Sequence, residues 1–102
     1  MATEETLKLV EEIKKKVYDT KEKIMKDTNK LYYSVNSTLN SELAKAKKEG
    51  KKVDDIEKEF NELLNKMDNI REKQKKLSVK DLRNALNKYA EKAEELIKKV
   101  KK

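Results

Sequence analysis

The sequence predicts an all-α fold: an antiparallel helical bundle of coiled-coil type, with three helices over about 4–49, 53–76 and 79–101. Three observations carry this expectation. The chain has no Pro and a single Gly, Gly50, so the two residues that most strongly interrupt regular structure are almost absent. Charged residues make up 46% and apolar residues 35%, enough for a narrow apolar seam and little for a broad core. Apolar residues recur at alternating spacings of three and four along most of the chain. Its 102 residues read as one domain, 1–102.

The second half is the most regular. Val53, Ile56, Phe60, Leu63, Met67, Ile70, Gln74 and Leu77 keep the heptad spacing, and Val79, Leu82, Leu86, Tyr89, Ala93, Leu96 and Val100 repeat it. Each run is long enough for a helix of roughly 36 Å. Gly50 suits the left-handed residue that follows a helix end. Asp54 or Asp55 could cap the next helix. Ser78, with Asp81 three residues on, marks the start of the last one, and Leu77 and Leu82 sit at staple spacing around it.

The first half is longer and less even. Thr3 or Thr6 could begin a helix, and Leu7, Val10, Ile13, Val17, Ile24, Leu31, Val35, Leu39, Leu43 and Ala46 hold one apolar face to about Glu49. Tyr18, Met25, Tyr32 and Leu39 add a second stripe, so this face suits a helix with two neighbours. As one helix, 4–49 would be about 69 Å long, twice its partners. The excess would need cover, for which a homodimer through this long helix is one solution. Within the three-helix reading this first helix is continuous or kinked; a break near Asp27-Thr28-Asn29, or over 36–41, gives the alternative, a four-helix bundle.

Several chemistries are excluded by residue type. With neither Cys nor His, the usual zinc, haem and transition-metal ligands are missing, as are Ser-His and Cys-His nucleophile pairs. The acidic pairs Glu4-Glu5, Glu11-Glu12, Asp54-Asp55 and Glu94-Glu95 are sequence neighbours, which do not face one another on a helix. No phosphate-binding Gly-rich loop or calcium loop occurs. The chain therefore reads as a non-enzyme with no catalytic residue, no metal site and no cofactor. No apolar run is long enough to span a membrane and the first ten residues do not resemble a signal peptide. A cytoplasmic protein and a mature secreted or cell-surface fragment both fit.

Two features stand out as candidate sites. The stretch 28–41, TNKLYYSVNSTLNS, has one charged residue, Lys30, in a chain that is otherwise nearly half charged. Ser, Thr and Asn are weak helix formers. A surface under no other demand would carry Glu and Lys there. Asn29, Tyr32, Tyr33, Asn36, Ser37 and Asn40 are the candidate partner-binding residues, since Tyr with Asn and Ser suits adaptable protein contacts. The competing reading is a helix break, or a face covered by the chain's own fourth helix.

The second feature is charge. Bases and acids number seven and seven over 1–27, six and two over 28–52, six and seven over 53–77, and eight and four over 78–102, which makes the net +7. In an up-down bundle Lys47, Lys48, Lys51 and Lys52 would meet Lys98, Lys99, Lys101 and Lys102 at one end. Such a pole could take nucleic acid or another polyanion. Lysines at helix C-termini also simply complement the dipole. With Arg71 and Arg83 the only arginines, and no aromatic near the pole, nucleic acid is the weaker reading.

The stretches SELAKAKKEGKKVDDIEKEFNELLNKMDNIREKQKKL and YAEKAEELIKKVKK resemble, in composition, the helical three-helix-bundle and coiled-coil binding modules of Gram-positive bacterial surface proteins. That resemblance implies a non-enzymatic domain that binds a host protein. Designed helical bundles and purely structural scaffolds share the composition, but an idealised design would avoid TNKLYYSVNSTLNS.

Overall fold

The computed structural model describes residues 2–101. They form four helices: α1, Ala2–Lys15; α2, Lys21–Lys48; α3, Asp54–Lys73; and α4, Val79–Lys101. All-α is as expected, but three helices is corrected to four. The break lies at 16–20, outside both stretches expected to allow one, and 28–41 runs unbroken through the middle of α2. Thr20 caps α2, its hydroxyl accepting from the Lys23 amide at 3.4 Å.

The reason for the break is tertiary. A straight 4–49 helix would leave half its apolar face in water. Instead α1 doubles back along α2, so that Thr3 reaches Glu42, Thr6 reaches Ser34 and Thr38, and Tyr18 reaches Asp27. The helix surface that called for a second molecule is thus covered by α1. Thr3 and Thr6, expected as caps, are buried inside α1. Val17, placed in the apolar stripe by its spacing, falls in the loop and is 77% exposed.

The helices run up, down, up, down. Helices α2 and α4 pack together along the middle, and each also touches both α1 and α3. Helices α1 and α3 lie on opposite flanks, with no close backbone contact between them among the described residues. The 28 residues of α2 set the long dimension of 44 Å. Leu31, Val35 and Leu39 of α2 and Leu86, Ala90, Ala93, Leu96 and Ile97 of α4 share one core with Phe60, Leu63 and Met67 of α3 and Val10 and Ile13 of α1. Ala90 and Ile97 lie outside the single seam yet are fully buried, because α4 faces three helices rather than one. Each large aliphatic side chain in this core contributes about 1.5–3 kcal/mol by burial.

The turns follow local chemistry. Gly50 has φ +79° and its amide bonds the Lys47 carbonyl, while the Lys51 amide bonds that of Ala46, the pairing of a Schellman end. The Asp81 amide donates to Ser78 Oγ at 3.1 Å, so Ser78 starts α4 as expected. Asp54 and Asp55 do not cap α3: Val53 is its N-cap residue, without a side-chain bond, and the two acids stand in the first turn, where the helix dipole favours them.

Candidate functional site

The uncharged segment divides into faces. Thr28, Ser34 and Thr38 turn inward or toward α1; Thr6 Oγ1 lies 2.6 Å from both the Ser34 and the Thr38 hydroxyl. This part of the anomaly is internal packing: short hydroxyl side chains meet across a close helix contact. Tyr32 and Asn29 lean toward α3. The remainder points outward, and it is the candidate surface.

Arg71 of α3 organises its first part. Its guanidinium carbon lies 4.3 Å from the Tyr32 ring centroid and 5.2 Å from that of Tyr33. Its Nε donates to Asn29 Oδ1 at 2.8 Å, one terminal nitrogen to Asp68 Oδ1 at 3.2 Å, and the other to the Tyr33 hydroxyl at 3.3 Å. Tyr32 in turn donates to Asp68 Oδ2 at 3.2 Å. The two rings meet edge to face, centroids 5.5 Å apart. Burial, and then the adjacent Asp68 carboxylate, raise the Tyr32 phenol above its ordinary pKa. Tyr33 stays 61% exposed, with one side of its ring against Tyr32 and Arg71. Asn29, Tyr32 and Tyr33 are therefore brought together, as a platform rather than as separate contacts.

From Tyr33 the exposed back of α2 continues through Ser37, Asn40, Ser41 and Ala44, a strip of about 17 Å without a charge. Asn36 is bonded to Asn40, whose side-chain amide donates to Asn36 Oδ1 at 2.9 Å. Lysines frame the strip at both ends, Lys26 and Lys30 before it, Lys45 and Lys48 after it. Arg71 and Asp68 were not among the expected site residues. Their signal was weak: an i,i+3 pair on the flank of a regular heptad helix, distinguished only by Arg71 being one of two arginines.

At the end expected to be basic, Lys45, Lys51 and Lys101 line one cleft together with Glu42 and Glu49. Much of its charge is answered internally. Lys47 pairs with Glu57, Lys51 with Glu49, Lys98 with Glu94, and Lys99 with both Glu59 and Glu95. Lys48 and Lys52 stand without an ion pair among the described residues, and Lys102 lies outside them. No grouping of three acidic side chains suited to a metal ion occurs among the described residues, and none of their helices is long and apolar enough to cross a membrane.

No protein-family model, curated protein or solved structure matches the chain.

Proposed function

We propose that the chain is a non-enzymatic protein-interaction module that engages its partner through the outward face of α2, from Tyr33 to Ala44. The observation that carries this is the Arg71–Tyr32–Tyr33 stack: an exposed aromatic ring, packed against a cation and a second ring, at the edge of an uncharged strip on an otherwise highly charged surface. Tyrosine and arginine are the residues most enriched among binding hot spots, and a preset side chain loses little entropy on contact.

The framing lysines specify the partner's chemistry. Two copies of the strip, aligned either way, would set lysine against lysine, so self-association on this face is disfavoured. The complement is a protein with a neutral central patch and acidic residues at both ends. The compositional likeness to bacterial surface modules points to a host protein as that partner.

The test is affinity capture with the intact chain and with Tyr33→Glu combined with Asn40→Lys. Both positions are exposed, so helicity by circular dichroism and the thermal midpoint should hold, while affinity for the captured partner drops about 30-fold or more, as for loss of a hot spot. A partner held equally by both proteins would show that the site lies elsewhere.

A further inference from the structure

The break between α1 and α2 creates an end of the molecule that a continuous helix would not have. Loop 16–20 lies beside loop 74–78, because Lys21 Nζ donates to the Lys75 carbonyl at 2.7 Å. This end is basic. Lys15, Lys26, Lys30, Lys75, Lys76 and Lys80 are exposed there and carry no ion pair among the described residues. The acids closest to the loop are already engaged: Asp19 by Lys23 at 2.9 Å, and buried Asp27 by Lys16 at 3.0 Å and by the Tyr18 hydroxyl at 2.6 Å. Glu22, Glu72 and Asp81 leave the lysines in excess. More unpaired lysines gather here than at the opposite pole, where Lys47, Lys51, Lys98 and Lys99 are paired.

At the tip of this end stands Val17, 77% exposed, the most exposed large apolar side chain among the described residues. It lines one cleft with Lys16, Lys23, Lys26, Lys30 and the already engaged Asp27. We infer that this two-loop end is a peripheral contact surface for an anionic phospholipid membrane, with the lysines over the headgroups and Val17 entering the boundary with the acyl chains.

Three features favour lipid over nucleic acid. No guanidinium is presented for phosphate forks: Arg71 is held by the tyrosines and Arg83 is half-buried. The two loops present no exposed aromatic ring for base stacking among the described residues: Tyr18 is buried with its hydroxyl on Asp27, and exposed Tyr33 lies along α2 in contact with Arg71. An exposed aliphatic tip gains nothing on a phosphate backbone and does gain at a lipid interface. Flexible lysines serve a diffuse anionic surface, each strengthening binding about fivefold close to the membrane.

The experiment is co-sedimentation of the full chain with vesicles of phosphatidylcholine alone, or with about 30% phosphatidylserine, at low and at physiological salt. Binding is expected to the anionic vesicles only and to weaken with salt. Reversing Lys26 and Lys76 together to Glu should lower the partition by on the order of a hundredfold. Val17→Ser should lower it about fivefold, and, being at an exposed loop residue, leave the thermal midpoint in place. Lys48→Glu with Lys52→Glu, at the opposite end, should leave it within about threefold, since those charges stand more than a Debye length away. The inference is overturned by no retention on anionic vesicles at low salt, by equal retention on neutral ones, or by an equal loss in the opposite-end variant. It is also overturned by tighter binding to duplex DNA that is insensitive to Val17→Ser, which would assign this end to nucleic acid.

Discussion

Tyr18 donates its hydroxyl to Asp27 Oδ2 over 2.6 Å, a bond that ties the loop leaving α1 to the second turn of α2. Both side chains are buried, and Lys16 reaches the same carboxylate oxygen at 3.0 Å while its ammonium lies 5.5 Å from the Tyr18 ring centroid. The direction change at 16–20 is thus fixed by a polar knot rather than by Gly or Pro. Tyr18→Phe leaves Asp27 buried with one fewer donor, and should destabilise the fold by about 1–3 kcal/mol in urea unfolding.

The same phenol sets a pH dependence. Burial, then the bond to Asp27 and its charge, raise the Tyr18 pKa above its ordinary 10.0. A pKa raised by folding means stability that is fully present below pH 10 and lost as pH rises toward the folded-state value. Unfolding free energies should therefore fall more steeply above pH 10 in the parent chain than in Tyr18→Phe, which lacks the group.

The hydroxyl contacts of Thr6 with Ser34 and Thr38 hold the other half of α1 to α2. Thr6→Ala removes a fully buried side chain and one contact of each of these hydroxyls, and should cost about 1–3 kcal/mol. A double-mutant cycle with Thr38→Ala should give a coupling of about 0.5–3 kcal/mol, since the two side chains are in contact.

Helix α1 also leans on α4 through Lys14 and Glu94, 3.0 Å apart. Donation from Lys14 is the main reason the Glu94 carboxyl sits below its ordinary 4.5, and burial opposes it. A depressed folded pKa gives stability present above pH 4.5 and lost as pH falls through the folded value. Because α1 is the shortest helix and much of its grip is polar, its amides should exchange with deuterium before those of α2 and α4. At one fixed pH, Glu94→Gln should speed exchange in α1 and leave that of α2 and α3 in place.

Gly50 should not tolerate a side chain, although space is available. A Cβ there meets nothing within 4 Å, but φ is +79°. Gly50→Ala should lower stability by about 1–2 kcal/mol through backbone strain alone, measurable as a shift of the denaturation midpoint without a change in slope.

Much of the candidate site was legible. The charge gap at 28–41 named Asn29, Tyr32 and Tyr33 before any geometry, because an unneeded surface would have been filled with Lys and Glu. What one dimension left open was which residues of the gap face outward: Thr38 and Ser37 are neighbours, yet one is fully buried against α1 and the other exposed. Arg71, far along the chain, could join Tyr33 only through the packing of α3 on α2.

The all-α class, the two C-terminal helices, the Gly50 turn and the Ser78 cap were determined locally, by heptad spacing and by residues whose own backbone preferences act within a turn. The break at 16–20 was not. Asp19-Thr20 with Glu22 is a modest start signal, and the apolar phase runs past it from Ile13 to Ile24 without a jump. Only the tertiary structure decided it. A continuous helix would have left an apolar face in water, whereas folding back buries Val10 and Ile13 against α2 and α4 and closes the bond between Tyr18 and Asp27. Those gains outweigh the helical hydrogen bonds lost at the loop, and they leave Val17 at its tip.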